Sequence, residues 1–440
     1  MKKNALLILI VIITLSAPSL AEEAETLALV GGTVIDVSDF GRSRSDLKQA
    51  VILIEEEKIA AVGSKDSIKI PKNAHVINIE GKYVLPGLID GFAALDNQAY
   101  ANAYLYMGVT SIIGISGYRR SPIFENADPS PHIYRFAGIG SFPSETGKML
   151  AEIDELAKKG VKVLLFHYRI TPEQLKLAVK KAHELGLATI GELGDTSYYD
   201  ALKYGVDAFV HYSRYSVELA PAEMKAEVAE QPFSPASRRF RSWLADLNPE
   251  DQRVKDYAKI LGSSGVGLMP TLTLYCIDLP ALENPWNEPA ASVLNPQDIH
   301  YPLDQSTGRH NFEPNILARF IKEAKNALMI EQKYYESGAK HLAGSGTDIF
   351  GTMPGISLHQ ELELLINAGL TEREALASAT WNFSAIFRWK EAGQIKPGCW
   401  ADIVITEKNP LENIKNLKHI AMVILRGKII DREKLLSKKV

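Results

Sequence analysis

The sequence is poor in several features that mark particular classes of protein. Its 440 residues include only two cysteines, Cys276 and Cys399, which is too few for a disulfide framework. No basic run is long enough to follow a phosphate backbone, and 49 basic residues nearly balance 53 acidic ones, so nucleic acid is not an expected partner. A hydrophobic share of 46% with 23% charged residues excludes a disordered, collagenous or coiled-coil chain.

The amino end predicts export from the cytoplasm. Lys2 and Lys3 precede an apolar run of 11 residues, and small residues follow up to Ala21. This pattern is typical of a signal peptide over residues 1–21. An uncleaved anchor is the alternative, but the run is shorter than the ~20 apolar residues that span a bilayer, and no later run reaches that length either. We therefore expect a periplasmic or secreted protein without a membrane span, whose two cysteines are buried thiols.

Short β-like runs occur at both ends of the chain. They lie at residues 27–36, 50–62 and 75–79, and again at 402–406 and 420–429, with glycines between several of them. Close spacing and β-branched residues favour a small antiparallel sheet.

The middle of the chain has a different pattern, in which short apolar runs alternate with amphipathic stretches. Strand-like runs at residues 109–115, 161–167 and 187–190 are followed or preceded by helix-like stretches such as 172–185. This alternation predicts an α/β fold with a parallel sheet. About eight such units fit between residues 85 and 385, which favours a closed (β/α)8 TIM barrel, although periodicity alone does not decide between a barrel and an open sheet. Residues 220–315 exceed the repeat length and are expected to form an insertion, either a lid over the barrel or a surface excursion.

Several motifs in this order resemble the amidohydrolase superfamily, specifically its imidazolonepropionase-like and prolidase-like branch. They are VLPGLID at residues 84–90, SGTD at 345–348, LHQELE at 358–363 and GQIKPG at 393–398. The resemblance extends from about residue 27 to residue 431. It implies a metal-supporting barrel and a composite β-sandwich domain made from both chain ends, residues 22–84 and 386–440. It also implies hydrolysis of amide or cyclic carbon–nitrogen bonds.

The resemblance also shows which metal ligands this sequence lacks. The family pattern Asp-x-His-x-His corresponds to residues 90–94, so Phe92 and Ala94 occupy the two histidine positions. The position of the bridging lysine falls on Leu165, and Lys162 would point to the opposite face of that strand. None of the three replacing side chains has a lone pair to donate. We therefore expect that a two-metal centre of the family type does not form, and that Phe92 and Ala94 fill the vacated volume.

A site with fewer ligands, for a single metal ion, is still possible. The strand-5 position holds Glu192, the strand-6 histidine is His211, and Asp348 is kept at strand 8. These three, with His167 as a fourth donor, are the predicted ligands of at most one divalent, zinc-like ion, and Asp348 is the predicted general base.

Each of these residues also has a structural interpretation. His211 and His167 could be packed polar residues, and Asp348 could accept neighbouring backbone amides. Glu192 could form a salt bridge with Arg169 or Arg214. For His359 a structural role is favoured, and the tyrosines near the expected mouth could line a pocket or cover its rim; they are Tyr198, Tyr199, Tyr212 and Tyr215.

Two functions follow, and the sequence leaves both open. The first is a hydrolase of carbon–nitrogen bonds with at most one metal ion. The alternative is a catalytically inactive, metal-free binding protein of the same fold. Either way the expected partner is a small molecule, and barrels of this kind often form homo-oligomers. Fold alone does not decide between the two.

Overall fold

The computed structural model describes residues 26–115, 122–230 and 235–437. The predicted signal peptide at residues 1–21 lies outside these described residues. Within them, no helix combines the length and the apolar character needed to cross a bilayer. Cys276 and Cys399 are both buried and unpaired with each other, which confirms the expectation of buried thiols.

The described residues form two sheets of eight strands each. The strands are β1 (Leu27–Val34), β2 (Leu47–Glu55), β3 (Lys58–Ser64), β4 (His75–Asn78), β5 (Tyr83–Pro86), β6 (Leu88–Ala94), β7 (Val109–Ile115), β8 (His132–Ile139), β9 (Val163–Phe166), β10 (Ala188–Gly191), β11 (Ala208–Val210), β12 (Gly267–Met269), β13 (Lys340–His341), β14 (Ile403–Thr406), β15 (Ile420–Leu425) and β16 (Lys428–Ile429).

Helices occupy most of the connections between these strands. They are α1 (Ser38–Gly41), α2 (Gln98–Tyr106), α3 (Thr146–Lys158), α4 (Pro172–Glu184), α5 (Tyr198–Tyr204), α6 (Tyr212–Tyr215), α7 (Ala222–Glu230), α8 (Pro235–Asp246), α9 (Gln252–Ser264), α10 (Thr273–Cys276), α11 (Pro314–Glu336), α12 (Ile356–Asn367), α13 (Glu372–Ser378), α14 (Trp381–Phe387) and α15 (Arg432–Ser437).

The first sheet joins the two ends of the chain. Its order is β16-β15-β14-β5-β1-β2-β3, with β4 also paired to β1. The junction is the antiparallel pair β5–β14, in which Val84 lies opposite Ile405. Leu29, Ile52 and Ile403 are among the side chains buried in its core. The separate sheet assembled from both ends is the arrangement that the sequence predicts.

The second sheet is parallel and runs in chain order from β6 to β13. Hydrogen bonds from the Gly91 amide to the Ala343 carbonyl (3.0 Å) and from the Ala94 amide to the Thr347 carbonyl (2.8 Å) join its last strand region to its first. They close the sheet into a barrel, as expected. The interior is filled by apolar side chains, as the packed core of a TIM barrel requires; they include Phe92, Ile113, Leu165, Ile190, Val210 and Met269.

Helix α4 illustrates why the connecting segments fold as they do. Thr171 caps its amino end in a capping box with Gln174, and Pro172 occupies the first turn. Residues at helical spacing form the buried face toward the barrel, among them Leu175, Ala178, Val179 and Ala182. The amphipathic pattern of residues 172–185 is therefore a barrel helix.

The stretch 220–315 contains both barrel elements and additional structure. Helix α9 and strand β12 lie within it, and β12 pairs with β11 and β13 in the barrel sheet. The additional structure consists of α7 and α8, which precede α9, and of residues 277–313, which follow α10. The latter segment is held by buried contacts such as His310 Nδ1 with Asp278 (2.8 Å) and Trp286 Nε1 donating to the Leu303 carbonyl (3.0 Å).

Candidate functional site at the barrel mouth

Three of the four predicted metal-site residues come directly after adjacent barrel strands. His167 follows β9, Glu192 follows β10 and His211 follows β11. The carboxyl ends of parallel strands meet at one rim, so these side chains meet at the barrel mouth. His167 Nδ1 lies 3.7 Å from Glu192 Oε2. His211 is close enough to lower the pKa of Glu192 electrostatically.

Glu192 is already paired with a protein cation. The Tyr168 hydroxyl donates to Glu192 Oε1 at 2.6 Å, and Arg214 Nε donates to the same oxygen at 3.1 Å. Burial alone would raise the pKa of the Glu192 carboxyl, but His211, Arg214 and the Tyr168 hydrogen bond outweigh it, so the net pKa is lowered. Of the two salt-bridge partners considered, Arg214 is therefore the one that pairs with Glu192. Arg169 pairs with Asp195 instead, at 3.0 Å.

His211 is held in one orientation and is neutral near pH 7. Its Nδ1 lies 2.8 Å from Thr271 Oγ1, and that hydroxyl donates its own hydrogen to the Pro270 carbonyl at 2.6 Å. This bonding assigns the hydrogen to Nδ1 and leaves a lone pair on Nε2. Burial, with Arg214 and His167 nearby, lowers the pKa of His211 to about 4, although Glu192 acts in the opposite direction.

Asp348, the fourth predicted residue, has a different environment. It is fully buried, and its Oδ2 accepts a hydrogen bond from the Tyr100 hydroxyl at 3.2 Å. Its backbone carbonyl accepts from the amide of His300 at 3.2 Å. The next two residues, Ile349 and Phe350, line the cavity described below. The role of Asp348 as a general base stays a prediction.

The positions that lack metal ligands are packed with apolar side chains. Phe92 and Leu165 are 6% and 2% exposed and belong to the core inside the barrel, and Ala94 is fully buried. The Phe92 ring packs edge-on against the His211 imidazole, with centroids 4.8 Å apart. Phe92 thus fills the space beside the retained histidine.

The residues present do not fit the metal centre that the family resemblance implies. A divalent ion beside Glu192 would meet the Arg214 guanidinium on the same carboxylate, and like charges at such distances repel strongly in a buried site. Within the part of the chain that the structure describes, no three His, Cys, Asp or Glu side chains are grouped so that they could hold one metal ion.

A cavity of about 390 Å³ opens at this mouth. It combines Glu192, His211 and Arg214 with side chains from α8 and α11, and its wall is partly charged and partly apolar. The lining residues outside the strand ends are Ser213, Ser237, Arg238, Phe240, Arg241, Leu274, Tyr275, Phe320, Glu323, Ile349 and Phe350. The volume lies within the ~300–1,000 Å³ range of small-molecule sites.

Several other residues considered in the sequence have structural contacts. His359 Nε2 lies 2.8 Å from the Met107 carbonyl, in a buried position. Among the four tyrosines, Tyr198 receives a hydrogen bond from the Leu193 amide (3.0 Å) and Tyr215 donates to Glu331 (2.6 Å). The tyrosine that lines the cavity is Tyr275, which the sequence did not indicate.

Comparisons with known proteins agree with this architecture. Residues 300–430 match the sequence model of the amidohydrolase family. A segment of 96 residues is 34% identical to adenine deaminase 1 of Desulfotalea psychrophila (strain LSv54 / DSM 12343), spanning 20% of this chain and 15% of that protein.

Solved structures share the fold over nearly the whole chain. A structure of molinate hydrolase has a TM-score of 0.63 at 15% identity and covers 95% of this chain and 97% of its own. A Xaa-Pro dipeptidase has a TM-score of 0.59 at 16% identity, covering 92% of this chain and 100% of its own. At such low identity the likeness shows the fold.

The fold comparison and the match of residues 300–430 to the family model point to the same group of proteins. Residues 300–430 are similar to the amidohydrolase family, and the described fold is similar to that of a solved Xaa-Pro dipeptidase.

Proposed function

We propose that this chain is a small-molecule-binding member of the amidohydrolase superfamily whose barrel mouth works without a two-metal centre. The observation that carries the proposal is the Arg214–Glu192 pair. The carboxylate at the end of β10 is neutralised by a guanidinium 3.1 Å away, in a pair whose side chains are 14% and 8% exposed.

This pair satisfies Glu192 without an ion from solution. A buried carboxylate without a partner costs several kcal/mol, so a chain that lost its metal ligands needs another cation beside Glu192. Arg214 supplies that charge, and its guanidinium also lies over the Tyr168 ring, 5.2 Å from the centroid. Phe92 supplies the volume beside His211. Arg214 and Phe92 together support a folded barrel mouth that needs no metal ion and still has an open cavity for a ligand.

Metal analysis of protein purified without chelators tests the proposal. We expect no stoichiometric zinc, manganese or iron, and no rise in melting temperature when zinc is added, since an ion that binds the folded state would raise it. We also expect no hydrolysis of dipeptides or N-acyl amino acids above the buffer rate. One or two tightly held metal equivalents, or an amidase rate that Asp348→Asn abolishes, would overturn the proposal.

A specific observation favours a second candidate, a hydrolase of carbon–nitrogen bonds with one zinc-like ion. His167 Nδ1 is buried, has no hydrogen-bond partner among the described residues and lies near Glu192. His211 Nε2 offers a second nitrogen lone pair at the same mouth. Zinc titration distinguishes the candidates: the one-metal hydrolase requires one equivalent of zinc, weakened by His167→Gln, together with measurable amide hydrolysis.

We further propose that the protein is exported. The charged and apolar pattern of residues 1–21 supports cleavage after Ala21 and a periplasmic or secreted location. Amino-terminal sequencing of the protein recovered from a periplasmic extract tests this. A mature chain that still begins at Met1 in the cytoplasmic fraction would contradict it.

A further inference from the structure

The cavity at the mouth has one wall of positive charge that Glu192 does not neutralise. Helix α8 contributes Arg238 and Arg241 to this wall, and Arg241 is half-buried while Arg238 is exposed at the rim. Arg214 forms an ion pair with Glu192. The positive charges of Arg238 and Arg241 are therefore additional to that pair. The carboxylate among the remaining lining residues is Glu323 of α11.

Glu323 compensates this charge incompletely. Its side chain is 11% exposed, and its nearest ion pair, with Arg319 on the same helix, is long at 3.6 Å. Burial raises the pKa of the Glu323 carboxyl, and Arg241 and Arg319 only partly oppose that shift. A guanidinium in a partly desolvated cavity attracts an anion more strongly than one in water. The α8 wall is therefore suited to a negatively charged group from outside.

The cavity is also lined by apolar and aromatic side chains. Phe320 and Phe350 pack edge-on with centroids 5.6 Å apart, and Phe240, Leu274 and Ile349 extend the same surface. Such a surface takes up the hydrocarbon part of a ligand through burial of apolar area. A small inorganic anion would leave this surface uncovered.

We propose that the ligand is an organic acid, with its carboxylate against Arg241 and Arg238 and its aromatic or branched aliphatic body against Phe320 and Phe350. This inference rests on the proposed function, in which the mouth is a ligand site, and it adds the chemical class of the ligand. Arg241 is the specificity-determining residue, because it is the more buried of the two α8 arginines that line the cavity and acts electrostatically on Glu323.

Calorimetric titration of the full chain with a matched pair of probes tests the inference. N-acetyl-L-phenylalanine carries the carboxylate, and N-acetyl-L-phenylalaninamide has the same body without the charge. We expect the acid to bind about tenfold or more tightly than the amide, the size of one charge-assisted contact. Equal binding of the two probes, or no binding of either, would overturn the ligand class. Binding of inorganic phosphate as tight as that of the acid would overturn it as well.

Two variants on one helix separate a specific contact from general charge. Arg241→Met should remove the preference for the acid and leave binding of the amide unchanged. Arg239→Met is the matched control, because Arg239 pairs with Glu227 outside the cavity, with its side chain 59% exposed. The control should keep the preference. If both variants lose it equally, or Arg241→Met keeps it, the assignment of Arg241 is wrong.

Glu323→Gln provides a test that a folding defect cannot imitate, since it should improve binding. Removal of the competing carboxylate should tighten the acid about threefold or more and leave the amide unchanged. Weaker binding of the acid would overturn the inference. Metal content of the same preparation is read independently, so a metal-loaded protein would refute the proposed function, whereas a metal-free protein without acid preference refutes only the ligand class.

Discussion

The Phe92 ring lies edge-on against the His211 imidazole, with 4.8 Å between centroids, at the position where the family resemblance places a metal-binding histidine. Phe136 also packs edge-on against Phe92, with 6.2 Å between ring centroids. Phe92 therefore belongs to the core inside the barrel and also contacts His211 at the mouth. At a position where the resemblance implies a ligand, the Phe92 side chain packs against two neighbouring rings.

Phe92→Ala should destabilise the protein because it leaves a void inside a closed barrel. We expect a loss of about 3–5 kcal/mol in the free energy of unfolding, the usual cost of removing a buried phenyl ring. Urea denaturation followed by fluorescence measures it. Phe142→Ala is the control: that ring is 81% exposed, and its loss should change stability by less than about 0.5 kcal/mol. Similar losses in both variants would show that Phe92 has no special packing role.

Arg214→Met should destabilise the fold through Glu192. The substitution removes the guanidinium that pairs with a buried carboxylate, which should cost about 3 kcal/mol at pH 7. Because the folded pKa of Glu192 lies below its ordinary 4.5, the stabilisation is present above that value and is lost as pH falls through the folded pKa. The deficit of the variant should therefore shrink below pH 4.5 in denaturation curves.

The Arg169–Asp195 pair serves as the control for Arg214. Its side chains are 29% and 37% exposed, with a nitrogen–oxygen distance of 3.0 Å. Arg169→Met should cost no more than about 1 kcal/mol, since exposed ion pairs contribute little. An Arg214 variant no less stable than this control would contradict the view that Glu192 depends on Arg214.

The sequence predicted those parts of the structure that depend on local pattern. Residues 109–115 form β7 as expected, and the amphipathic stretch 172–185 forms α4 with one residue of difference at its end. Strand β8 (His132–Ile139) was missed, because Arg135 interrupts its apolar residues and only Tyr134 and Ile139 are buried. The closed barrel and the two-ended sheet followed from strand and helix alternation together with the motifs.

The candidate site could be predicted only where strand order determines it. Strand-end positions identified Glu192, His211 and His167, which do meet at the mouth. The choice of Arg214 over Arg169 as partner depends on side-chain geometry that spacing cannot supply. Arg241, Phe320 and Phe350 lie on separate segments and share a cavity only after folding. No local signal in the sequence connects them.

His211 should make the protein less stable in mild acid. Its folded pKa is about 4 against an ordinary 6.5, so the unfolded chain binds the proton more readily between these values. Stability from this residue is full above pH 6.5 and is lost as pH falls toward 4, by at most about 3 kcal/mol. His132 and His359, with pKa values also lowered to about 4 by burial, act in the same window.

Comparison of the wild type with His211→Asn isolates this effect from the other histidines. The difference in unfolding free energy between pH 7 and pH 4.5 should be smaller in the variant. Titration of the imidazole signals by NMR gives an independent measurement, in which one resonance lost in His211→Asn should titrate near pH 4. A His211 resonance that titrates near 6.5 would contradict the expected burial.

The stability of Asp90→Asn relative to the wild type should increase as pH rises. Asp90 is fully buried; its Oδ1 accepts hydrogen bonds from the amides of Ser345 (2.8 Å) and Phe92 (3.3 Å), while Oδ2 has no partner among the described residues. Burial raises its pKa from 3.8 to about 6, although the two hydrogen bonds oppose the shift. Folding therefore disfavours the charged form, and wild-type stability from this group declines as pH rises from about 4 to 6.

Asparagine keeps the acceptor at Oδ1 and carries no charge at any pH, so the variant should escape that decline. Relative to wild type, its free energy of unfolding should increase by about 3 kcal/mol between pH 3.5 and pH 8, on top of a constant offset for the new amide group. Urea denaturation at both pH values measures the change. If the difference in unfolding free energy between variant and wild type stays constant with pH, folding does not raise the pKa of Asp90. Asp90 would then be ionised in the folded protein, and a partner at the base of the mouth would have to neutralise it.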